Sequence, residues 1–356
     1  MKDVRIFGLS GTGDYAKKVA DHLDLSVSPH TENFFSDTES YLKSDVNVRG
    51  FECYVIQSTY GDDDQSVGEK YWNLLTFIGS LIDASSGEIS VISPYWGFSR
   101  QDRKTESRAP ITTKYVGHLL KSMGVRRAIT MDVHNLGAYQ NSAPIGDRPL
   151  TVDNLEIKNL LVDYLLGFDE KNSIPDPLKN DLDNLVVLAP DSGGIGRCRR
   201  FRNSLEKKIK SLLGEDVKIG LASVDKERVS NAGDNGKMSS TVTVGDDIIG
   251  DVKDKRVIIL DDMISSGKTI KSSIDAIISH GGEPWAACAT HGLFVGEAND
   301  FLKEVPRLVI SDTIPPFRLN ESTLKNTPII ETAKIFAQSI RRTHEHGSIS
   351  ELISGS

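Results

Sequence analysis

Residues 256–269 read R-V-I-I-L-D-D-M-I-S-S-G-K-T. Val257, Ile258, Ile259 and Leu260 form an unbroken apolar run rich in β-branched side chains. That is the pattern of a strand buried on both faces of a parallel sheet. The carboxylates of Asp261 and Asp262 end the predicted strand. Ser265, Ser266 and Gly267 make a small-residue turn, and Lys268 and Thr269 lead into a helical pattern. A strand that stops in such a turn before a helix offers backbone N–H groups and a helix N-terminus to an anion. The acidic pair cannot hold the same phosphate; it suits ribose hydroxyls or a metal-bound sugar phosphate. Taken alone, the stretch also reads as a buried strand followed by a capped helix with no ligand.

The rest of the chain sets the frame. Its 356 residues predict two domains. A hydrophobic content of 38% with 26% charged residues is that of a globular protein with a core in each half. The net charge of −8 argues against a general nucleic-acid or anionic-membrane partner. Cys53, Cys198 and Cys288 show no CxxC spacing, which predicts reduced thiols in a cytoplasmic protein. Residues 1–7 hold no signal-peptide h-region, and no apolar run reaches the length of a membrane span.

Strand and helix patterns alternate along the chain. Strands are predicted at 4–8, 53–57, 89–93, 127–131, 185–189, 218–224, 285–290 and 308–310, besides the opening one. The long helix after Asp62-Asp63-Asp64 puts Val67, Tyr71, Leu74, Leu75, Ile78 and Ile82 on one face. Pro110 starts a helix to Met123. Residues 34–39 read as a polar loop, and 135–154 as a loop and domain junction. A helix is predicted over 155–166 and another over 332–344. The alternation favours doubly wound α/β domains.

Four constellations carry chemistry. The opening turn is the first. In the second, Asp191-Ser192-Gly193-Gly194, glycines let backbone N–H groups approach a diphosphate, and Asp191 suits a hard Mg²⁺ ion. A helix-initiating turn with an Asp cap is the competing reading. The third is Asp132-Val133-His134, whose side chains at i and i+2 share one side of a strand and can share a metal or a phosphate; a hydrogen-bonded His is the plainer alternative. The fourth is Lys226-Glu227-Arg228, two cations before a Gly/Ser/Asn-rich stretch. They can stabilise charge during phosphoryl transfer, or simply be solvated. Beside these, Arg100, Gln101, Arg103 and Lys104 stand near Trp96 and Phe98, a set able to hold nucleotide phosphates and stack a base. Arg197, Arg199, Arg200 and Arg202 read as a solvated or interface helix face without catalytic role.

In one order the chain carries R-Q-D-R-K-T-E-S-R-A-P-I at 100–111, T-M-D-V-H at 130–134, V-D-N-L at 152–155, P-D-S-G-G at 190–194, D-K-E-R at 225–228, G-D-V-K at 250–253, D-D-M-I-S-S-G-K-T at 261–269, T-H-G-L-F at 290–294 and S-I-R-R-T-H at 339–344. This series resembles the ribose-phosphate diphosphokinase (PRPP synthetase) family over nearly the whole chain.

The resemblance implies two doubly wound type I phosphoribosyltransferase-like domains. An ATP-side domain spans 1–150, a sugar-phosphate domain 151–318, and a segment 319–356 returns to the first. It implies Mg²⁺-dependent transfer of the β,γ-diphosphate of ATP to the anomeric hydroxyl of ribose 5-phosphate, giving PRPP and AMP. Phe35, Asp37 and Glu39 then contact adenine, from a neighbouring subunit of a homo-oligomer, and Arg100 and Gln101 hold ATP. His134 and Asp191 position Mg²⁺, and Asp191, Ser192, Gly193 and Gly194 form the diphosphate loop. Lys226 and Arg228 stabilise the transition state. Asp261 and Asp262 bind ribose hydroxyls, while Ser265, Ser266, Gly267, Lys268 and Thr269 cradle the 5-phosphate.

The turn departs from the family pattern, which has Asp-Thr in place of Ser265-Ser266 and Gly in place of Lys268. A ribose-5-phosphate ester such as ADP-ribose is therefore an alternative substrate. A phosphoribosyltransferase needs only one such domain. A non-catalytic relative is expected to lack Lys226, Arg228, His134 or Asp191, and all four are present.

Overall fold

The computed structural model describes residues 1–141, 150–168, 177–180, 182, 184–214, 216–225 and 247–354. The chain divides into two units. One comprises Met1–Glu156 with Glu331–Ser356, and the other Ile157–Ile330.

The first unit runs β1 (Val4–Gly8), α1 (Gly13–Asp21), β2 (His30–Phe34), β3 (Ser40–Ser44), β4 (Glu52–Ile56), α2 (Val67–Asp83), β5 (Ile89–Ser93), α3 (Thr112–Ser122), β6 (Arg127–Met131), α4 (Leu136–Gln140) and β7 (Thr151–Leu155). Its five-stranded sheet has the order β1-β4-β5-β6-β7, and every pairing is parallel. Alternation along the strands builds two buried layers. Phe7, Val55, Val91 and Ala128 line up across the register and join α2 and α3 in one core. Gly8 lies on the opposite face, where a Cβ would come 2.3 Å from that of Ala16 in α1. Ser66 starts α2 with a capping box: its side chain accepts the Glu69 N–H, and the Glu69 carboxylate accepts the Ser66 N–H.

The second unit runs α5 (Lys158–Leu165), β8 (Leu185–Ala189), α6 (Ile195–Leu213), β9 (Gly220–Asp225), β10 (Asp247–Ile249), β11 (Arg256–Ile264), α7 (Lys268–Ser279), β12 (Glu283–Gly292), α8 (Ala298–Leu302), β13 (Leu308–Ser311), α9 (Glu321–Lys325) and β14 (Ile329–Ile330). Its seven strands follow the order β10-β9-β8-β11-β12-β13-β14, parallel except for β10 against β9. Val257 and Ile259 pack with Ile270, Ile274 and Ile277 of α7. On the side of α6, the Cys198 thiol donates to the Leu260 carbonyl.

The chain then returns to the first unit as α10 (Ala333–His344) and α11 (Ile349–Ser354). Phe336 meets Tyr15 of α1 edge-on at 6.1 Å, and Tyr15 and Thr332 share a hydrogen bond of 2.8 Å. At the far end of α10, His344 Nδ1 lies 3.1 Å from the Glu52 carboxylate of β4.

Several expectations are corrected here. A first domain ending at 150 would cut off β7, which pairs with β6 along its whole length. A second domain ending at 318 would cut off β14, which pairs with β13. Residues 135–154 hold α4 and β7 rather than loop alone, and Leu155 closes β7 instead of opening a helix. The loop read over 34–39 is the tip of an antiparallel hairpin. The opening strand does not end at the acidic pair. It continues to Ile264 because β12 pairs with it to Gly292, whereas its pairing with β8 stops at Ile259.

Candidate functional site

The acidic pair sits where β11 has lost its β8 neighbour. Asp262 is buried and Asp261 partly so. The Asp262 N–H donates to Asp261 Oδ1 at 2.8 Å. Nη1 of Arg197, in the first turn of α6, lies 3.7 Å from Asp261 Oδ1 and 3.6 Å from Asp262 Oδ1. Burial, and then the neighbouring Asp262 carboxylate, push the Asp261 carboxyl well above the usual carboxylate range, while Arg197 works against both.

Beyond the pair, Ser265, Ser266 and Gly267 turn the chain into α7. Gly267 is the N-cap residue at φ 80°, a left-handed conformation that favours glycine. A Cβ there would also come 3.3 Å from Phe301 Cβ. Glycine provides no capping side chain, so the first N–H groups of α7 keep the polarity that attracts an anion. The stretch after β12 braces the turn: Leu293 N–H donates to the Ile264 carbonyl at 2.9 Å and Val295 N–H to the Ser265 carbonyl at 3.0 Å. Lys268 is exposed, with Nζ 3.8 Å from Glu297 Oε2.

The Asp191-Ser-Gly-Gly194 segment is a single 3₁₀ turn, Ser192–Gly194, leading straight into α6. Asp191 is its N-cap and accepts the Gly194 N–H on Oδ1 at 3.1 Å. Ser192 and Gly193 are exposed. The helix-initiating reading of Asp191-Ser-Gly-Gly194 is the one seen here, with the aspartate capping the helix start.

In the first unit, the 94–111 loop is fixed by its aromatics. Trp96 is buried and packs on Tyr139 at 4.6 Å, and Phe98 stacks on Tyr71 at 5.6 Å. Trp96 is therefore turned into the core and cannot stack a base, while Phe98 is partly buried with one ring face on Tyr71. Gly97 passes so close to strand ends that a Cβ would lie 2.4 Å from the Thr59 carbonyl oxygen. Arg100 and Gln101 are exposed at the loop's tip. Gln101 is held by Thr112, whose hydroxyl donates to its Oε1, and by the Thr113 N–H on its carbonyl. Asp102 accepts from Asn135 Nδ2 at 2.8 Å, tying this loop to the segment that carries His134.

His134 is exposed and Asp132 is buried. Asp132 has φ 39°, outside strand geometry, so the alternation argument that put the two side chains on one side does not apply. Phe35, Asp37 and Glu39 lie at the β2–β3 tip. There Phe35 N–H donates to the Glu39 carbonyl, and the exposed Phe35 ring meets Tyr41 at 6.1 Å. Lys226 and Arg228 fall outside the described residues.

Arg197 is the residue that sequence reasoning missed. Its carboxylate partners lie more than sixty positions away in the chain, and nothing in an Arg-rich helix singles it out. Burial pushes the Cys53, Cys198 and Cys288 thiols each up to about 12, which disfavours the thiolate. Among the described residues no three His, Cys, Asp or Glu side chains gather into a metal cage, and no helix is long and apolar enough to cross a membrane.

Two parallel α/β units, one presenting a carboxylate pair beside an uncapped, glycine-turned helix start, define the class: an enzyme of phosphoribosyltransferase fold. The profile of the N-terminal domain of ribose phosphate pyrophosphokinase matches residues 4–124, and that of the phosphoribosyl transferase domain matches 171–293. A ribose-phosphate pyrophosphokinase of Caldanaerobacter subterraneus is 33% identical over 353 residues, covering 98% of this chain and 97% of its own. That of Campylobacter jejuni is 33% identical and covers 99% of both chains. The crystal structure of phosphoribosylpyrophosphate synthetase from Mycobacterium smegmatis matches with a TM-score of 0.78 at 26% identity, over 97% of this chain and 100% of its own. The chain belongs to the ribose-phosphate pyrophosphokinase family.

Proposed function

We propose that the protein transfers the β,γ-diphosphate of ATP to the anomeric hydroxyl of ribose 5-phosphate, giving PRPP and AMP. The observation that carries this reading is the Asp261-Asp262 pair on β11, next to the uncapped N-terminus of α7. Carboxylates accept hydrogen bonds from sugar hydroxyls, and helix N–H groups donate to a phosphate; a short turn separates the two along the chain. The curated relatives, matched end to end, support a diphosphokinase over a phosphoribosyltransferase, which needs one such unit.

In this reading the anomeric oxygen attacks the β-phosphorus of ATP. The bond from that phosphorus to the α,β-bridging oxygen breaks, AMP leaves with the oxygen, and the hydroxyl proton is released. Catalysis is then mostly positioning and charge neutralisation. Asp261 and Asp262 orient the ribose, and Ser265, Ser266, Gly267, Lys268 and Thr269 hold its phosphate. Asp191, Ser192, Gly193 and Gly194 take the diphosphate, Arg100 and Gln101 take ATP, and Lys226 and Arg228 stabilise the charge that develops.

His134 and Asp191 would hold Mg²⁺. The Asp191 carboxylate is the kind of oxygen donor that this hard ion takes beside waters and substrate phosphates. When bound, the ion supplies neutralising charge to the diphosphate. Phe35, Asp37 and Glu39 would meet adenine from a neighbouring copy in a homo-oligomer; the exposure of Phe34, Phe35 and Tyr41 on one hairpin supports this.

Incubating the protein with ATP, Mg²⁺ and ribose 5-phosphate should release AMP, and AMP no higher than a sugar-free control would sink the proposal. A second reading, a diphosphokinase for an ester such as ADP-ribose, is favoured by the exposed ammonium of Lys268 at the phosphate turn. A sugar panel decides it: preference for ribose 5-phosphate over every ester removes it.

A further inference from the structure

We propose that Arg197 is a positioning residue for the sugar, its guanidinium facing both the Asp261 and Asp262 carboxylates and holding them aimed at two ribose hydroxyls. The inference rests on the sugar-phosphate reading of that pair and adds a residue that this reading does not contain.

The geometry comes first. One nitrogen, Nη1, stands 3.7 Å from Asp261 and 3.6 Å from Asp262, so a single group faces both carboxylates. At that range these two contacts are charge against charge.

The base of the side chain is also fixed. Cys198, the next residue, donates its thiol to the carbonyl of Leu260, the residue immediately before Asp261. Phe201, Leu205 and Ile209 bury the inner face of α6 completely. The guanidinium is therefore referenced to β11 at the site of the pair.

Electrostatics supplies the need. Adjacent, largely buried carboxylates resist ionising together, and a protonated acid offers a hydroxyl fewer lone pairs and one competing donor. An arginine suits the task because it stays charged even when buried and its planar fork spans two acceptors. The same residue sits in the first turn of the helix that begins at Asp191–Gly194, so the diphosphate turn and the acidic pair share one rigid element.

The test uses the full chain with ATP, Mg²⁺ and ribose 5-phosphate, following AMP. Arg197→Met should raise KM for ribose 5-phosphate at least tenfold (about 1.4 kcal/mol) and leave KM for ATP within twofold. Arg197→Lys should recover part of the loss. Arg199→Met, an exposed neighbour on the same helix, should behave as wild type. A sugar KM within twofold of wild type in Arg197→Met, or a change confined to KM for ATP, would overturn the inference.

If the Met variant does not fold, as urea unfolding would reveal, Arg197→Lys and Arg197→Gln decide by the same split. Lys should then outrank Gln in sugar KM alone, and equal values would overturn the role. If wild type forms no AMP, the proposed reaction fails separately. Calorimetric binding of ribose 5-phosphate to wild type and Arg197→Met then decides: tenfold weaker binding supports the role, and unchanged or absent binding overturns it.

Discussion

Each unit buries charge, and the two do so in opposite ways. In the first, the Lys70 side chain is 1% exposed and its Nζ lies 2.5 Å from Asp62 Oδ2, 3.8 Å above the Tyr60 ring. Asp62 also accepts the Gln65 and Asp64 N–H groups, at 2.7 and 3.1 Å. One cation meets one anion, and hydrogen bonds occupy both carboxylate oxygens. In the second unit one guanidinium is shared by two carboxylates at longer range. The first arrangement is a matched pair, fixed by hydrogen bonds on both oxygens of one carboxylate. The second leaves two anions facing one cation, an imbalance that the proposed sugar site would use.

The comparison can be broken most directly in the first unit. Asp62→Ala leaves a buried ammonium without its counter-ion and should cost about 3–5 kcal/mol in urea unfolding. Replacing both partners together, Asp62→Ala with Lys70→Met, should recover most of that loss. No recovery would mean the pair is not the matched unit described.

Next in size is the acidic pair. Asp262→Asn should lower AMP formation by about 100-fold, the scale of a misplaced substrate, without lowering the urea midpoint. A variant that keeps wild-type turnover, or one that unfolds more easily, would move this pair into the structural class of Lys70 and Asp62.

The two clusters should also respond oppositely to pH. Burial alone would raise the Asp62 carboxyl, but hydrogen bonds from Lys70 and Gln65 prevail and hold it below its usual value. Its contribution is therefore full above the unfolded value near 3.8 and is lost as pH falls through the lower folded value. Asp261 is shifted up, so the folded state keeps its proton longer than the unfolded chain does. Stability from it is present below 3.8 and is lost as pH rises from there to the folded value. Urea midpoints between pH 3 and 7 should show the deficit of Asp62→Asn shrinking in acid and the advantage of Asp261→Asn growing with pH. Parallel slopes would contradict the contrast.

The smallest effect lies in a cap. Ser66→Ala removes half of the α2 capping box and should cost about 1 kcal/mol, with no change in KM for either substrate. A shift in KM would couple α2 to the site.

The central strands were legible in sequence where both faces are buried, so apolar runs such as 89–93 and 185–189 mark them to the residue, whereas β7, β10 and β14, with partly exposed residues, were not. The β2–β3 hairpin was not: only Leu42 of its ten residues is buried, so no alternation survives to be read. Asp261, Asp262 and the turn after them announced themselves because chemistry and local structure coincide in one short stretch. Arg197 stayed hidden because its meaning comes from a crossing of α6 over β11, which spacing along the chain does not encode. Trp96 misled for a related reason, since aromatics beside cations look the same in sequence whether they face a ligand or the core.

The length of β11 has a mechanical side. After Ile259 the strand runs five more residues bonded to β12 alone, an overhang of about 16 Å at 3.3 Å per residue. It is a cantilever, anchored in the middle of the sheet and carrying its working groups near the free span. Stiffness at the carboxylates then comes from β12 and from whatever leans on the beam from the side. A change in β12, far from any sugar, would be felt at the pair as play, whereas one in β8 would stop at the anchor.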